Sequence, residues 1–596
     1  MLTLLLGLAH ASDTVTLLHT NDWQSRLLGV PNRDYTPATV GDDDTQGGVA
    51  RLATLAEQLR ATAEGATFLL DAGDITMGSL FHLTSREHAG ELRLMHLMQY
   101  DGAALGNHDF DFRPAGLTDM VRAAQRAGAV PPLLASNLLL SAADPRDDGL
   151  EKLFDDGLLL ETRLIERGGV TLGLIGLLGK DATEVMGQAD PVTTADAIEV
   201  STRLARQLRE QGADLVVALS HSGVSQLDDG SWGDEDVELM RAVPELDVVI
   251  SGHSHTALHE PILVDGRPVV QAGANTHWLG ELTLTRDGDR WTMEDYTLHA
   301  VDDEVPGHVE AMALVEELKQ AVGPELFSQR LATVTRPMTK ALDDPTLGNL
   351  VTDAIREAVG SDLAVTGNGT IRAELAEGPL VASDLFLVNP LGIGTVDDSP
   401  GYALVKAYVT GRDLKAVLEF LLVGYVLKGD SYYPRLSGGE VVFNTRRVPM
   451  DQIVSVTFDD GTEAEFDDDR LYSVGMSTYI AGFLPMIPDT TFGLLDATLL
   501  NAEGEPAEVD DLVYDGDPGT PGVQEVKASQ ALRAYVGRNP VLPVDEDPRL
   551  IETTSMALLK NSSWKQKTFV FGPLALLAAV VGGVGVVVRR RRSAAR

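Results

Sequence analysis

Residues 246–255 read LDVVISGHSH, an apolar run that passes through a serine and a glycine into two imidazoles, His253 and His255. A short, continuous apolar run bounded by glycine reads as a buried strand. In α/β sheets the groups that meet ligands sit just past the carboxyl ends of strands. Four other segments repeat the pattern. DLVVALSHSG (214–223) delivers His221, TVTLLHTND (14–22) ends at Asp22, TFLLDAGD (67–74) ends at Asp74, and AALGNHDFD (103–111) carries Asn107, His108 and Asp111. Between them lie stretches with apolar residues at helical spacing, such as VARLATLAEQL (49–59) and residues 195–208, which Gly212 closes. This alternation predicts a layered α/β domain over residues 12–303, with helices outside the sheets.

Each segment alone is weak, since Asp74 also fits a turn and His221 a hydrogen-bonded core histidine. Together they supply carboxylates, an amide and imidazoles, the donor mix that seats two divalent cations for phosphoester chemistry. Asp74 is the expected shared ligand, with Asp22 and His255 on one side and Asn107, His221 and His253 on the other. His253 and His255 stand two residues apart and can serve neighbouring cations from one loop. Manganese, zinc, iron, cobalt and calcium are all candidates. His108 adjoins a ligand without being assigned as one, and is expected to face the scissile group. Asp111, three residues on, would hold that imidazole oriented and protonated, so that it stabilises developing negative charge.

The remaining composition sets bounds. A chain of 596 residues is too long for one core. A helical segment in residues 304–330, opened by Pro306 and closed by Gly323 and Pro324, predicts a linker, and residues 331–550 a second domain. Within it, residues 501–525 are acidic and rich in proline and glycine, as befits a surface excursion. The formal net charge of −42 argues against a nucleic-acid polymer as partner. With no cysteine, disulfides and thiolate metal sites are excluded. Oligomeric state is not legible.

Residues 2–9 are apolar, and Ala9-His10-Ala11 has a small-x-small pattern, but no Lys or Arg precedes it. Residues 1–11 therefore read as a degenerate signal peptide, with export to the periplasm or cell surface expected. Residues 569–588 are uninterruptedly apolar and are followed by four arginines. They predict a transmembrane helix, retained as an anchor or processed as a sorting signal, reached through a tether at 551–568 and ending in a cytoplasmic basic tail at 589–596. The membrane is thus an expected partner.

LLHTND, DAGD, GNHDFDF, SHSG and SGHSH resemble, in order, the metallophosphatase domain of the 5′-nucleotidase family, within the calcineurin-like metallophosphoesterase superfamily. That family includes UDP-sugar hydrolases, ecto-5′-nucleotidases and 2′,3′-cyclic-nucleotide phosphodiesterases. The likeness spans residues 15–300, and more loosely 335–485, where LGNLVTDAIREA (347–358) and TGNGTIRAEL (366–375) stand in for the C-terminal hallmarks. It implies a four-layer αββα catalytic domain, a bridging helix and a C-terminal α+β domain, with the active site between the two domains. The implied reaction is attack on phosphorus by a hydroxide shared between the cations, most simply on a nucleoside 5′-monophosphate. Nucleotide sugars, cyclic nucleotides and other phosphoesters stay open. A non-catalytic surface binding protein is the alternative that missing ligands would signal, and the core ligands are all present.

Departures from the family accompany these matches. Where the family has Asp-x-His, this chain has Asp22-Trp23-Gln24, so Gln24 either ligates through its amide oxygen or leaves the position to water. In the second domain the family's Asn-Gly-Gly-Gly-Ile-Arg loop becomes Gly367-Asn368-Gly369-Thr370-Ile371-Arg372. This retains Arg372 and shifts the asparagine to Asn368. Leu391 stands where a stacking phenylalanine is usual, Tyr479 supplies the opposite aromatic, and Gly482-Phe483-Leu484-Pro485 replaces the segment that reads a ribose. Arg372, Asn368, Tyr479 and Leu391 are the expected substrate contacts. The catalytic chemistry reads as preserved, while nucleoside specificity does not.

Overall fold

Strand Thr14–Thr20 runs parallel to Ala66–Asp71, with Val15 opposite Ala66 and Thr20 opposite Asp71. Gly102–Ala104, Leu133–Leu134 and Leu159–Leu160 extend this sheet in parallel, and the antiparallel strands Trp278–Asp287 and Arg290–Ala300 complete its other edge. A second sheet sets Val170–Leu178, Leu215–His221, Val248–Ser251 and Arg267–Val270 side by side in parallel. Its edges are the antiparallel strands Thr162–Arg167 and Ile262–Val264. The structure is a computed structural model that describes residues 13–567 apart from 228, 289, 468, 492–494, 555–558 and 564–565.

The two-residue period of the strands sorts their side chains between two environments. Val15, Leu17, Phe68 and Leu70 of one sheet share a core with Leu172, Leu174, Val217, Leu219, Val248 and Ile250 of the other. The alternate residues face helices. Leu18 and Leu69 belong to a core with Leu52, Leu92 and Val121, and Val216 and Ala218 to one with Leu204, Leu208, Val237 and Met240. Sheet on sheet with a helical layer outside each is the αββα arrangement expected. Truncating a residue in the middle layer, Phe68→Ala for example, removes contacts to both sheets and costs about 3–5 kcal/mol.

The chain divides into two compact units. One takes the residues up to Leu331 together with Leu380–Ile393 and Asp398–Pro400. The other takes Ala332–Pro379, Gly394–Asp397 and the residues from Gly401 on. Helix Val309–Val322, in the stretch expected to link domains, packs Ala311, Val315 and Leu318 into the helical core of the first unit.

The second unit is α+β. Its four-stranded sheet runs in the order Leu404–Thr410, Leu471–Ser477, Leu363–Gly367, Pro434–Ser437. Helix Thr346–Val359 buries one face beside it and stops at Gly360, whose φ of 61° is the left-handed turn that glycine takes without strain. Helix Gly411–Lys428 contributes Leu414, Leu418 and Leu422 to a core with Val405, Val409, Val474 and Met476. A three-stranded sheet joins Ile453–Phe458, Gly439–Phe443 and Leu550–Glu552, so the expected tether begins inside a strand.

One part of the expected fold class is corrected. It includes a C-terminal transmembrane helix, yet among the described residues no helix is long and apolar enough to cross a membrane. The longest described helix, Gly411–Lys428, has 18 residues and carries Arg412, Asp413, Lys415 and Glu419, whereas a span needs about 20 mostly apolar ones. The stretch at 569–588 on which that expectation fell lies outside the described residues, as do 1–11 and 589–596. The architecture that the described residues show is the two-domain one.

Candidate metal centre

The expected ligands follow the carboxyl ends of neighbouring parallel strands in both sheets. Asp22 follows Thr14–Thr20, Asp74 follows Ala66–Asp71, Asn107 follows Gly102–Ala104, His221 closes Leu215–His221, and His253 and His255 follow Val248–Ser251. The chain turns sharply there to aim these side chains inward. Asp22, Gln24, Asp74, His253 and His255 all have left-handed backbones, with φ of 51°, 49°, 55°, 71° and 55°. Such conformations cost non-glycine residues of order 1–3 kcal/mol each and cluster where function demands them. Gly106 makes room for the arrangement: a Cβ there would lie 2.1 Å from Asp74 Oδ1.

Asp22, Asp74 and His221 are buried and offer ligand atoms that all lie within 4.8 Å of one another. Asp74 Oδ1 accepts a hydrogen bond from the His108 amide at 2.9 Å and lies 3.3 Å from His221 Nε2. Asn107 Oδ1 is 3.2 Å from His221 Nε2 and 3.1 Å from His253 Nδ1. On the other side, His255 Nε2 is 3.3 Å from Asp22 Oδ1 and 2.8 Å from the Gln24 amide nitrogen. Gln24 thus lies beside His255, with its amide nitrogen rather than its oxygen toward the ring.

These residues fit a pair of divalent cations. Asp22 Oδ1 is buried with the His255 imidazole 3.3 Å away, an arrangement that suits an oxygen and a nitrogen facing a shared cation. His221 Nδ1 donates to the Ala72 carbonyl at 2.8 Å, which fixes the ring and turns Nε2 toward the cluster. The donors are oxygen and nitrogen with no sulfur, which suits hard or borderline divalent ions. Burial alone would raise the Asp74 carboxyl, but the His221 and His108 imidazoles outweigh it and hold it well below the usual carboxylate range. Burial would likewise depress His221, but Asp74 and Asp22 lift it to about 10. The metal-free cluster thus favours a proton on His221, and a cation must displace it.

His108 and Asp111 form the expected dyad, with Nδ1 3.1 Å from each carboxylate oxygen. Three supporting residues were not picked out from the sequence. Asn21 donates to Asp22 Oδ2 at 2.6 Å and accepts from the Ala272 amide at 2.7 Å. Asp181 Oδ2 lies 3.2 Å from His253 Nε2. Asp109, which burial and then Asp74 push up to about 6, accepts from the Gly106 and Thr76 amides and ties the two ligand loops together. Asn21 and Asp109 adjoin ligands in sequence, which was the available signal. Asp181 lies 72 residues from its partner and carried none.

The expected substrate contacts are not brought together in one unit. Leu391 is buried in the first, while Asn368, Arg372 and Tyr479 belong to the second. Asn368 uses both ends of its amide internally, accepting from Arg435 Nε at 3.0 Å and donating to the Lys340 carbonyl at 3.2 Å. Arg372 Nη1 is 3.5 Å from the Gly369 carbonyl. Tyr479 stacks on Tyr402 with ring centres 5.1 Å apart, and Phe483 meets it edge-on. One face of Tyr479 is therefore already covered.

Two family profiles match the chain: calcineurin-like phosphoesterase over residues 15–257, and 5′-nucleotidase, C-terminal domain over residues 328–487. A snake venom 5′-nucleotidase of Crotalus adamanteus is 27% identical over 493 residues, covering 76% of this chain and 77% of that protein. The solved 5′-nucleotidase precursor from Thermus thermophilus has a TM-score of 0.70 at 24% identity, covering 91% of this chain and 100% of its own. The sulfate thiohydrolase SoxB from the same organism gives 0.63 at 17% identity, covering 92% and 98%. The two solved structures bear on the fold alone. Fold, site and relatives define a metal-dependent phosphoester hydrolase. The chain belongs to the 5′-nucleotidase family of calcineurin-like phosphoesterases.

Proposed function

We propose that this hydrolase uses two divalent cations to remove the phosphate of nucleoside 5′-monophosphates, and that it works outside the cytoplasm. The names of its relatives, 5′-nucleotidases of snake venom and of mouse among them, support the substrate, and the venom relative supports the setting. The observation that carries the reading is the buried group of Asp22, Asp74 and His221, whose ligand atoms lie within 4.8 Å of one another beside the His108–Asp111 dyad. Asp22, Gln24 and His255 would hold one cation and Asn107, His221 and His253 the other, with Asp74 shared. When bound, the pair supplies Lewis-acid charge stabilisation and an activated water.

The chain's own groups do the rest. Asp111 pins His108 through Nδ1, so Nε2 carries its proton toward the phosphoryl oxygens and the leaving group, where positive charge is needed as the bond breaks. Arg372 offers the fork geometry that grips a phosphate or a neighbouring polar group. Tyr479, with Tyr402 behind it, presents a single aromatic face to a base. Base discrimination should accordingly be shallow.

The test is the purified chain, stripped of metal, assayed with manganese, cobalt, zinc or calcium on AMP, UDP-glucose, 2′,3′-cyclic AMP and an aryl phosphate. Metal-dependent hydrolysis with the highest kcat/KM on AMP is expected. A clear preference for UDP-glucose or the cyclic nucleotide would overturn the substrate assignment, and turnover that ignores metal would overturn the mechanism.

A further inference from the structure

His253 and His255 would serve different cations from one loop, and both hold left-handed backbones, with φ of 71° and 55°. Such conformations persist only where the surroundings over-determine them, and one buried side chain does so here. Strand Arg267–Val270 runs parallel to Val248–Ser251, with Val269 beside Val249 and Val270 beside Ile250. The next residue along, Gln271, therefore arrives where the loop of residues 252–256 begins, and it is fully buried.

The Gln271 amide has two donor hydrogens and two acceptor lone pairs, and this segment takes all four. Nε2 donates to the Gly252 carbonyl at 2.5 Å and to Ser251 Oγ at 3.1 Å. Oε1 accepts from the Thr256 amide at 2.6 Å and from Ser254 Oγ at 3.0 Å. The contacts fall on residues 251, 252, 254 and 256, and so bracket both histidines. The amide cannot be turned over, because its hydrogens would then face the Thr256 N–H and its oxygen the Gly252 carbonyl. The main chain continues the brace: the Gln271 carbonyl accepts from the Leu258 amide, and the Ala272 amide donates to Asn21, which holds Asp22. The His253 amide on Asp22 Oδ2 and the Asp181 carboxylate on Nε2 of the same residue act on His253 alone. Gln271 acts on both histidines.

We propose that Gln271 is a positioning residue for the metal centre: by fixing the 252–256 loop at both ends it aims His253 and His255 together, and so sets the affinity for both cations. The inference rests on the two-cation reading of the site. Groups behind a ligand act through its orientation. Loss of Gln271 should therefore weaken metal binding, while the rate at saturating metal is largely recovered. A side chain that only filled space would change stability and leave metal affinity alone.

The measurement is calorimetric titration of the metal-stripped full chain with manganese, beside kcat on an aryl phosphate as a function of manganese. Gln271→Met keeps the length of the side chain and removes all four bonds, and should weaken manganese binding by about 10–100-fold. Ser254→Ala, at an exposed position, removes one of the four and should weaken it by about threefold. Ser254→Thr keeps the hydroxyl and should bind as the wild type does. Leu204→Ala, in the core under the outer helix Ala197–Glu210, controls for lost stability: it should lower the Tm and leave manganese affinity unchanged. At saturating manganese kcat should stay within about threefold of wild type in all of them. Wild-type manganese affinity in Gln271→Met overturns the proposal. If that variant does not fold, the Ser254 pair decides, and equal affinities of its alanine and threonine forms overturn it. A wild-type chain that takes up no manganese overturns the two-cation reading itself, and this inference with it.

Discussion

Asp74, the proposed shared ligand, lies 3.3 Å from His221 Nε2 and accepts a hydrogen bond from the His108 amide. Asparagine there keeps the shape and removes the charge. We expect Asp74→Asn to lower kcat/KM at saturating manganese by at least about a thousandfold. A variant within about tenfold of wild type would show that Asp74 is not the shared ligand. Gln24 is a subtler case, because an amide is a poorer donor to transition metals than an imidazole. Its backbone already has the conformation that His253 and His255 adopt, so histidine fits without new strain. Gln24→His should reach half-maximal rate at about tenfold less metal. Superimposable metal titrations of the two proteins would remove Gln24 from the ligand set. The ligands were legible one by one because each ends an apolar run, whereas Asp181 was not, since its role exists only once residues 181 and 253 are adjacent in space.

Among the elements, helix Gly411–Lys428 is held to strand Ile453–Phe458 by a buried acid. Glu419 accepts from the Ile453 amide at 2.6 Å and the Gln452 amide at 2.8 Å, yet burial pushes its carboxyl up to about 7. A carboxyl whose pKa is raised on folding binds its proton more tightly in the native state. Its contribution to stability is therefore full below the unfolded value of 4.5, falls as pH rises toward 7, and levels off above. The size of that fall is of order 3 kcal/mol. Glu419→Gln should be less stable at every pH, because its amide cannot accept both backbone bonds, but it should lose this slope. Urea midpoints at about pH 4.5 and pH 7.5 test it, and an unchanged slope in the variant would assign the dependence to another group. Helices such as Ala197–Glu210 were readable from apolar spacing and a closing glycine. Strands of two residues, Leu133–Leu134 and Leu159–Leu160, were not, because no period develops over so short a run.

At the scale of the molecule, the proposed ligands all belong to the first unit, where they follow strands of both its sheets. Cation binding should therefore stabilise one unit selectively. Metal at about a thousand times its dissociation constant adds roughly 4 kcal/mol to the state that binds it. In scanning calorimetry, adding manganese to stripped protein should raise the transition of the catalytic unit by several degrees and leave the other in place. Asp74→Asn should abolish the shift. Equal shifts in both transitions would mean that the cations bind elsewhere as well.

The amino-acid sequence by itself determined the class of chemistry and a layered α/β catalytic fold. Both are written locally, in apolar runs of strand length and in the polar residue that ends each one. It also marked the second domain through its helix and arginine loop. Tertiary structure alone decided which groups support the ligands, that Asn368 is committed inside the protein, and that Tyr402 covers one face of Tyr479. Those facts depend on which distant segments become neighbours, and a one-dimensional pattern of polarity carries no record of that.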